Sequence, residues 1–205
     1  GLYEGTTAVE PPKTPDEGYT LTEDLADRTI TWMRQQKALM PDKPLFVYFA
    51  PGATHAPHHV PKEWSDKYKG KFDGGWDKLR EETIARQKKL GVIPPDAVLT
   101  GRHKEIPGWD EVSPALKPVF ARQMEIYAGF LEQADHHVGR LVETLDDLGI
   151  LDDTLIYYII GDNGASAEGT LNGCFNEMTT LNGMPGIETT EFLVNKIDDF
   201  GTPKA

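Results

Sequence analysis

Two unbroken apolar runs constrain this chain more than anything else in it. Leu45-Phe46-Val47-Tyr48-Phe49-Ala50 and Leu155-Ile156-Tyr157-Tyr158-Ile159-Ile160 lack the alternation of a half-wet strand and read as strands covered on both faces, as in a parallel sheet. Between them Phe120, Met124, Tyr127, Leu131, Ala134, Val138, Leu141, Leu145 and Leu148 recur at spacings of four and three, the stripe of one long helix that Gly149 can cap. A coiled coil would carry the same stripe, but a strand follows within a few residues, which favours a helix packed on a sheet. Strand, helix, strand in that order is the right-handed crossover of an α/β sheet. Two strands alone would leave apolar faces and unpaired edges in water. Further strands are therefore expected before residue 1, after residue 205 or in another chain, and the fold class expected is α/β, a mostly parallel sheet with flanking helices that this chain only partly supplies. The start at Gly1, with no methionine and no basic-then-apolar leader, agrees with a processed protein or a fragment.

The other elements read more weakly. The first 19 residues hold Pro11, Pro12 and Pro15 with no apolar period and read as irregular. Thr20 and Glu23 form a capping-box pattern before Leu25, Ile30 and Met33, which predicts a helix from about 21 to 39 that Pro41 stops. Residues 62–118 mix charged and aromatic side chains with Gly-Gly, Pro-Pro and Pro-Gly breaks, the character of a surface insertion, with a polar helix over about 77–90. From Gly161 onward the chain is glycine-rich, with one short helix near Glu188 to Asp199.

Charge narrows the ligand. The chain has 33 acidic and 21 basic residues, a net charge of -12, which argues against a nucleic-acid partner and makes a cation the more natural ligand. The excess is concentrated, with 13 acidic and 3 basic side chains in residues 135–205, although a solvated acidic surface would look the same. No apolar run approaches the roughly 18 residues a membrane span requires. Cys174 is the only cysteine, so no internal disulfide holds the fold.

In open parallel sheets ligands bind beyond the carboxyl ends of the strands. Both short polar motifs fall there, Thr54-His55-Ala56-Pro57 after the first run and Gly161-Asp162-Asn163-Gly164 after the second, so one site can receive both. Asp162 and Asn163 offer hard oxygen donors between glycines, suited to calcium or magnesium, while the same tetrapeptide is also an ordinary Asn-Gly turn. Calcium takes about six to eight oxygens, so the pair would need further ligands. His55 lies in a loop stiffened from Pro51 to Pro61, where an imidazole can donate to an anion or move a proton near neutral pH. His58 and His59 raise a zinc alternative, although Pro57 and Pro61 disfavour the helix that aligns paired ligands, and structural roles for them stay open. His103, His136 and His137 read as polar residues without a site. Gly164-Ala165-Ser166-Ala167-Glu168 falls short of a serine nucleophile elbow, since Glu168 replaces the last glycine and Ser166 lies six residues beyond the run.

Taken in order, Pro44 to Ala50, His55-Ala56-Pro57, Pro61, Tyr127-Ala128-Gly129-Phe130-Leu131-Glu132, Asp135 with Val138-Gly139-Arg140-Leu141, Asp153-Thr154 and Gly161-Asp162-Asn163-Gly164 resemble the middle of a sulfatase. The closest resemblance is to the bacterial arylsulfatase branch, and it extends through Trp64, Tyr68-Lys69-Gly70-Lys71-Phe72-Asp73 and Phe175-Asn176-Glu177-Met178. It implies an alkaline-phosphatase-like fold and hydrolysis of small-molecule sulfate esters. The implied nucleophile is a formylglycine made from cysteine or serine, and the implied metal is usually calcium. By the same resemblance Asp162 and Asn163 match metal ligands, and His55 matches a histidine that contacts the substrate sulfate. The motif Cys or Ser followed by x-Pro-x-Arg is absent, and Cys174, followed by Phe175-Asn176-Glu177-Met178, does not fit it. The nucleophile is expected in an N-terminal part outside this chain, and residues 1–205 read as the central part of a catalytic domain. A phosphoester or phosphonate hydrolase of the same superfamily, or a non-catalytic acidic metal-binding or helical interaction module, are the competing readings. Compartment and oligomeric state are not legible.

Overall fold

The computed structural model describes residues 1–161 and 169–205. It opens on an antiparallel hairpin, β1 (Leu2–Glu4) and β2 (Thr7–Val9), in a stretch expected to be irregular. Gly5 turns it with φ of 61°, and no non-glycine residue among the described residues takes a positive φ, which is the type II′ arrangement with glycine first.

Helix α1 (Leu21–Leu39) forms where the pattern places it, but not through the expected capping box. The Thr20 hydroxyl makes no cap and accepts instead from Gln133 Nε2 at 3.1 Å, a buried tertiary bond to the long helix α4 (Lys117–Asp147). Ala26 and Met33 are buried on α1, and Arg140 of α4 pairs with Asp27 while Arg34 of α1 pairs with Asp147 at 2.7 Å. Tyr19 donates to the buried Asp24 at 3.0 Å, and burial first, then that carboxylate, push its phenol up to about 12.

Helix α4 ends as its sequence requires. Gly149 takes φ of 68°, the Gly149 and Ile150 amides reach back to Asp146 and Leu145, and the carbonyls of the last turn are satisfied in a Schellman pattern. Its buried face coincides with the stripe only in part. Ala134 and Leu141 of the stripe are buried, together with Ile126, Phe130, Glu125, Gln133 and His137 beside it, while Met124 and Leu131 of the stripe are exposed. The cause lies in the neighbours: α1 and the short helix α2 (Lys62–Ser65) pack on this face, and Thr20 just before α1 takes a bond from Gln133 Nε2. Arg122 bonds Ser65 Oγ at 3.1 Å and Glu125 at 3.0 Å, and Glu125 also accepts from the Gly70 amide at 2.8 Å. Gly129 lets α2 come close, since a Cβ there would stand 2.7 Å from the Ser65 backbone.

The core gathers Val60, Trp109, Val112, Leu116, Val119, Ile126, Phe130, Leu193 and Phe200. Helix α3 (Gly75–Leu90) matches the polar helix expected at 77–90 and is capped by Gly91, while α5 (Glu177–Leu181) was not foreseen. Helix α6 (Thr190–Asn195) fulfils the expectation near 188–199 and supplies the buried Leu193.

The parallel strands expected at 45–50 and 155–160 are not formed: among the described residues the sheet is the hairpin alone. Both runs lack regular structure, with Phe46, Tyr48, Leu155, Tyr157, Ile159 and Ile160 at least three-quarters exposed. A strand exists only against a hydrogen-bonded neighbour, and among the described residues none is paired with either run. Tyr158 reaches Asp135 on α4 at 3.2 Å, so the second run lies against the helix whose stripe it was expected to follow.

Candidate functional site

The proline-bounded loop after Ala50 is folded on itself. The His55 amide donates to the Gly52 carbonyl at 2.8 Å, the His59 amide to Pro57 at 2.9 Å, and the Val60 amide to Gly201 at 3.0 Å, which ties the loop to the C-terminal segment. His55 is exposed, with Nδ1 2.8 Å from the Ala56 carbonyl. That contact makes Nδ1 the donor, so a proton gained at Nε2 turns the ring into a cation with its second N–H directed elsewhere.

His58 and His59 do other work. His58 Nε2 donates to the Thr54 carbonyl at 3.1 Å, next to His55, and its ring lies 5.9 Å from Tyr127 and edge-on to Phe130 at 6.2 Å. Burial holds its pKa below the ordinary histidine value, and the Thr54 bond opposes that only in part. Burial thus favours the neutral imidazole, which bonds the backbone carbonyl just before His55. His59 Nε2 bonds the Ala205 carbonyl at 3.1 Å. Among the described residues no three His, Cys, Asp or Glu side chains are gathered as a metal would need. Asp162 and Asn163, and Ser166 with them, lie outside the described residues.

The loop borders a cavity of about 650 Å³, to which Thr54 and residues 56–59 contribute on one side and residues 171–178 on another. Its third wall is aromatic and was not anticipated. Trp76 meets Trp109 edge-on at 4.9 Å and Phe120 at 5.8 Å. Trp109 is seated by Gly75, where a Cβ would stand 2.1 Å from the indole, and by its amide, which donates to Asp77 at 2.8 Å. That amide first, then Arg102 at 3.0 Å, hold the Asp77 carboxyl below the usual carboxylate range. The far wall is positioned by Glu188, which accepts from the Phe175 and Asn176 amides at 2.6 and 2.9 Å. Cys174 lines the cavity beside Phe175. No lysine or arginine lines it among the described residues, and Glu177 is its one carboxylate side chain. The sequence signal for this wall was the interleaving of aromatic residues in 62–118, which had no visible partner until the fold joined it to α4.

Comparison with known proteins places these residues in a family context. Residues 3–196 match the family described as Sulfatase. The chain is 33% identical over 153 residues to an arylsulfatase of Klebsiella aerogenes, a match covering 74% of this chain and 32% of that protein. It is 37% identical over 123 residues to an uncharacterised sulfatase of Schizosaccharomyces pombe, covering 58% of this chain and 22% of the other. The chain thus spans about a third of the first relative and less than a quarter of the second.

Proposed function

The chain belongs to the sulfatase family, and on that footing we propose that it is the central part of a catalytic domain that hydrolyses small-molecule sulfate esters, aryl sulfates above all. The observation that carries this reading is the placement of His55, exposed on a loop held by three backbone bonds at the border of a large cavity.

In this reading His55 meets the sulfate. With Nδ1 committed to Ala56, the protonated ring presents Nε2–H to a sulfate oxygen or to the departing ester oxygen, and His58 keeps the Thr54 carbonyl and hence the loop in place. Asp162 and Asn163 would hold the divalent cation, calcium or magnesium. Their donor set fits a hard cation in kind, as hard oxygens, and is too small to hold one alone. When bound, such a cation offsets the charge on the sulfate and on the nucleophile. The nucleophile, a formylglycine, is supplied from outside these residues, because Cys or Ser with x-Pro-x-Arg does not occur in them. The runs 45–50 and 155–160 become strands of the parallel sheet once further strands pair with them. No described helix is long and apolar enough to cross a membrane.

The test uses the protein that carries this segment together with the nucleophile motif, assayed on para-nitrophenyl sulfate. His55→Ala and Asp162→Ala are each expected to lower kcat/KM by about a hundredfold or more, and chelation of the cation to abolish turnover. The 205-residue chain alone is expected to turn over no aryl sulfate. Turnover by that chain, wild-type rates in His55→Ala, or hydrolysis of the phosphate monoester in preference to the sulfate would each overturn the reading.

A further inference from the structure

We propose that the arm formed by α3 and the segment returning along it is a docking surface for an anionic lipid bilayer. Leu90, Val92 and Val98 enter the headgroup layer, and Arg86, Lys88, Lys89 and Lys104 meet lipid phosphates. Nothing in this depends on the reading of His55 above.

The arm is a hairpin anchored at one end. Of the residues of α3, Gly75 alone is buried, against Trp109, and three bonds hold the return segment beside the helix. Arg80 donates to the Thr100 carbonyl at 2.7 Å, Arg102 to Asp77 at 3.0 Å, and Trp76 Nε1 to the Pro107 carbonyl at 3.1 Å. As the return runs from 100 to 107 its partners step back from 80 to 76, so residues 88–98 form the far end. At about 1.5 Å per residue, Leu90 lies roughly 22 Å from Gly75.

That far end joins two features. Leu90, Val92 and Val98 are 69, 67 and 86% exposed, and behind them an apolar cleft of about 400 Å³ opens between α3 and residues 93–99. Residues 86–104 hold five basic side chains and one acidic, in a chain of net charge -12. Lys78 and Arg102 are engaged with Glu82 and Asp77, whereas Arg86, Lys88, Lys89 and Lys104 make no ion pair among the described residues. A helix C-terminus favours lysine by itself, yet its dipole accounts neither for Lys104 nor for the apolar side chains left in water.

The arrangement selects the partner. At about 100° per residue, Arg86, Lys88 and Lys89 leave α3 in three directions around Leu90, so a broad anionic plane met end-on engages all of them. A groove on another protein would engage one side. An apolar tip with long cationic side chains around it matches the layers of a bilayer interface, acyl boundary beneath and phosphates above. A nucleic acid would use the cations and leave the apolar residues wet, and a second copy presenting the same arm would set cation against cation. Repulsion by the acidic remainder is screened within about 8 Å at physiological salt, well short of the arm's length. No described helix is long and apolar enough to cross a membrane, so the contact is peripheral.

The test is cosedimentation with vesicles, using the protein that carries this segment together with the nucleophile motif, because the exposed runs 45–50 and 155–160 of the chain alone would themselves adhere to lipid. Binding is expected to vesicles of equal parts phosphatidylcholine and phosphatidylglycerol. It is expected to be at least about tenfold weaker to pure phosphatidylcholine, and to be lost in about 1 M salt, where the screening length is about 3 Å. Each cation near such a surface is worth about fivefold, so Lys88→Glu with Lys89→Glu is expected to weaken binding about 25-fold or more. Leu90→Ser with Val92→Ser is expected to weaken it about tenfold or more. Where either pair loses the far-UV spectrum, Lys88→Gln with Lys89→Gln or Leu90→Ala with Val92→Ala replaces it and is read the same way. Equal binding to neutral and anionic vesicles, or binding that ignores both pairs, overturns the docking surface. Binding to soluble polyglutamate but not to vesicles also overturns it and marks the partner as an acidic protein. Vesicle binding that depends on both pairs, in a protein that hydrolyses no sulfate ester, upholds the surface and overturns the proposed reaction.

Discussion

Two glycines on helix α4 should respond to alanine in opposite directions. Gly139 is exposed and a Cβ there meets nothing within 4 Å, so Gly139→Ala gains only the helix preference of alanine, about 1 kcal/mol. At Gly129 the same gain meets an obstacle. A Cβ would stand 2.7 Å from both Cα and N of Ser65 and 2.8 Å from the Trp64 carbonyl carbon, roughly 1 Å inside an ordinary contact of about 3.5–4.0 Å. These are backbone atoms, which cannot rotate aside, and α2 can retreat only by stretching the Arg122 bond to Ser65. Overpacking of this kind costs up to about 3 kcal/mol, so the net effect is a loss of about 2 kcal/mol. For a chain of this size that is a Tm lower by about 4–8 °C, against about 2–4 °C higher for Gly139→Ala. The two sites are about 15 Å apart along the helix, so the double variant should show the sum to within about 0.5 kcal/mol. Urea unfolding followed by far-UV circular dichroism reads all three. If Gly129→Ala proves as stabilising as Gly139→Ala, α2 does not cross α4 at this residue and the packing account fails.

Three further outcomes are expected. Stability should fall as pH drops from about 7 toward 5, because burial holds His58 low, and burial together with Arg140 holds His137 low. The unfolded chain then takes up protons near its ordinary value of about 6.5 that the folded chain refuses; a His58→Gln, His137→Gln double variant should flatten that slope in pH-resolved urea melts, and an unchanged slope would contradict it. Leu193, fully buried on α6, should lose about 2–5 kcal/mol on substitution by alanine, whereas its neighbour Val194, 37% exposed, should change by less than about 1 kcal/mol, with equal losses counting against the core as described. Calcium should bind the 205-residue chain weakly by calorimetry and tightly only in a protein that adds further carboxylates, with Asp162→Ala removing the heat; tight binding by the chain alone would mean that its own donors suffice.

The helices were legible because their signals are local. α1 runs from just after Thr20 to just before Pro41, and Gly91 and Gly149 close α3 and α4 through bonds made within their own turns. The order of short motifs likewise sufficed for the family, since His55-Ala56-Pro57 and Gly161-Asp162-Asn163-Gly164 identify themselves without any contact being known. What depends on partners far along the chain was not legible. Thr20 reads as a cap and spends its hydroxyl on Gln133; the stripe on α4 reads as the buried face, yet it shares burial with Glu125, Gln133 and His137 while its Met124 and Leu131 stay exposed, because α1 and α2 pack across one side of it. The apolar runs at 45–50 and 155–160 are written as strands, yet strand formation is a property of a pair, and among the described residues neither has one. The aromatic wall that faces the His55 loop joins residues 72, 76 and 109 to Phe120 and Tyr127 of the α4 stripe, and no spacing rule connects the two groups. Composition and periodicity set which segments are helical and which chemistry is present. Tertiary structure alone decided which faces are buried and which side chains share a cavity, because both are settled by contacts between residues that sequence distance does not relate.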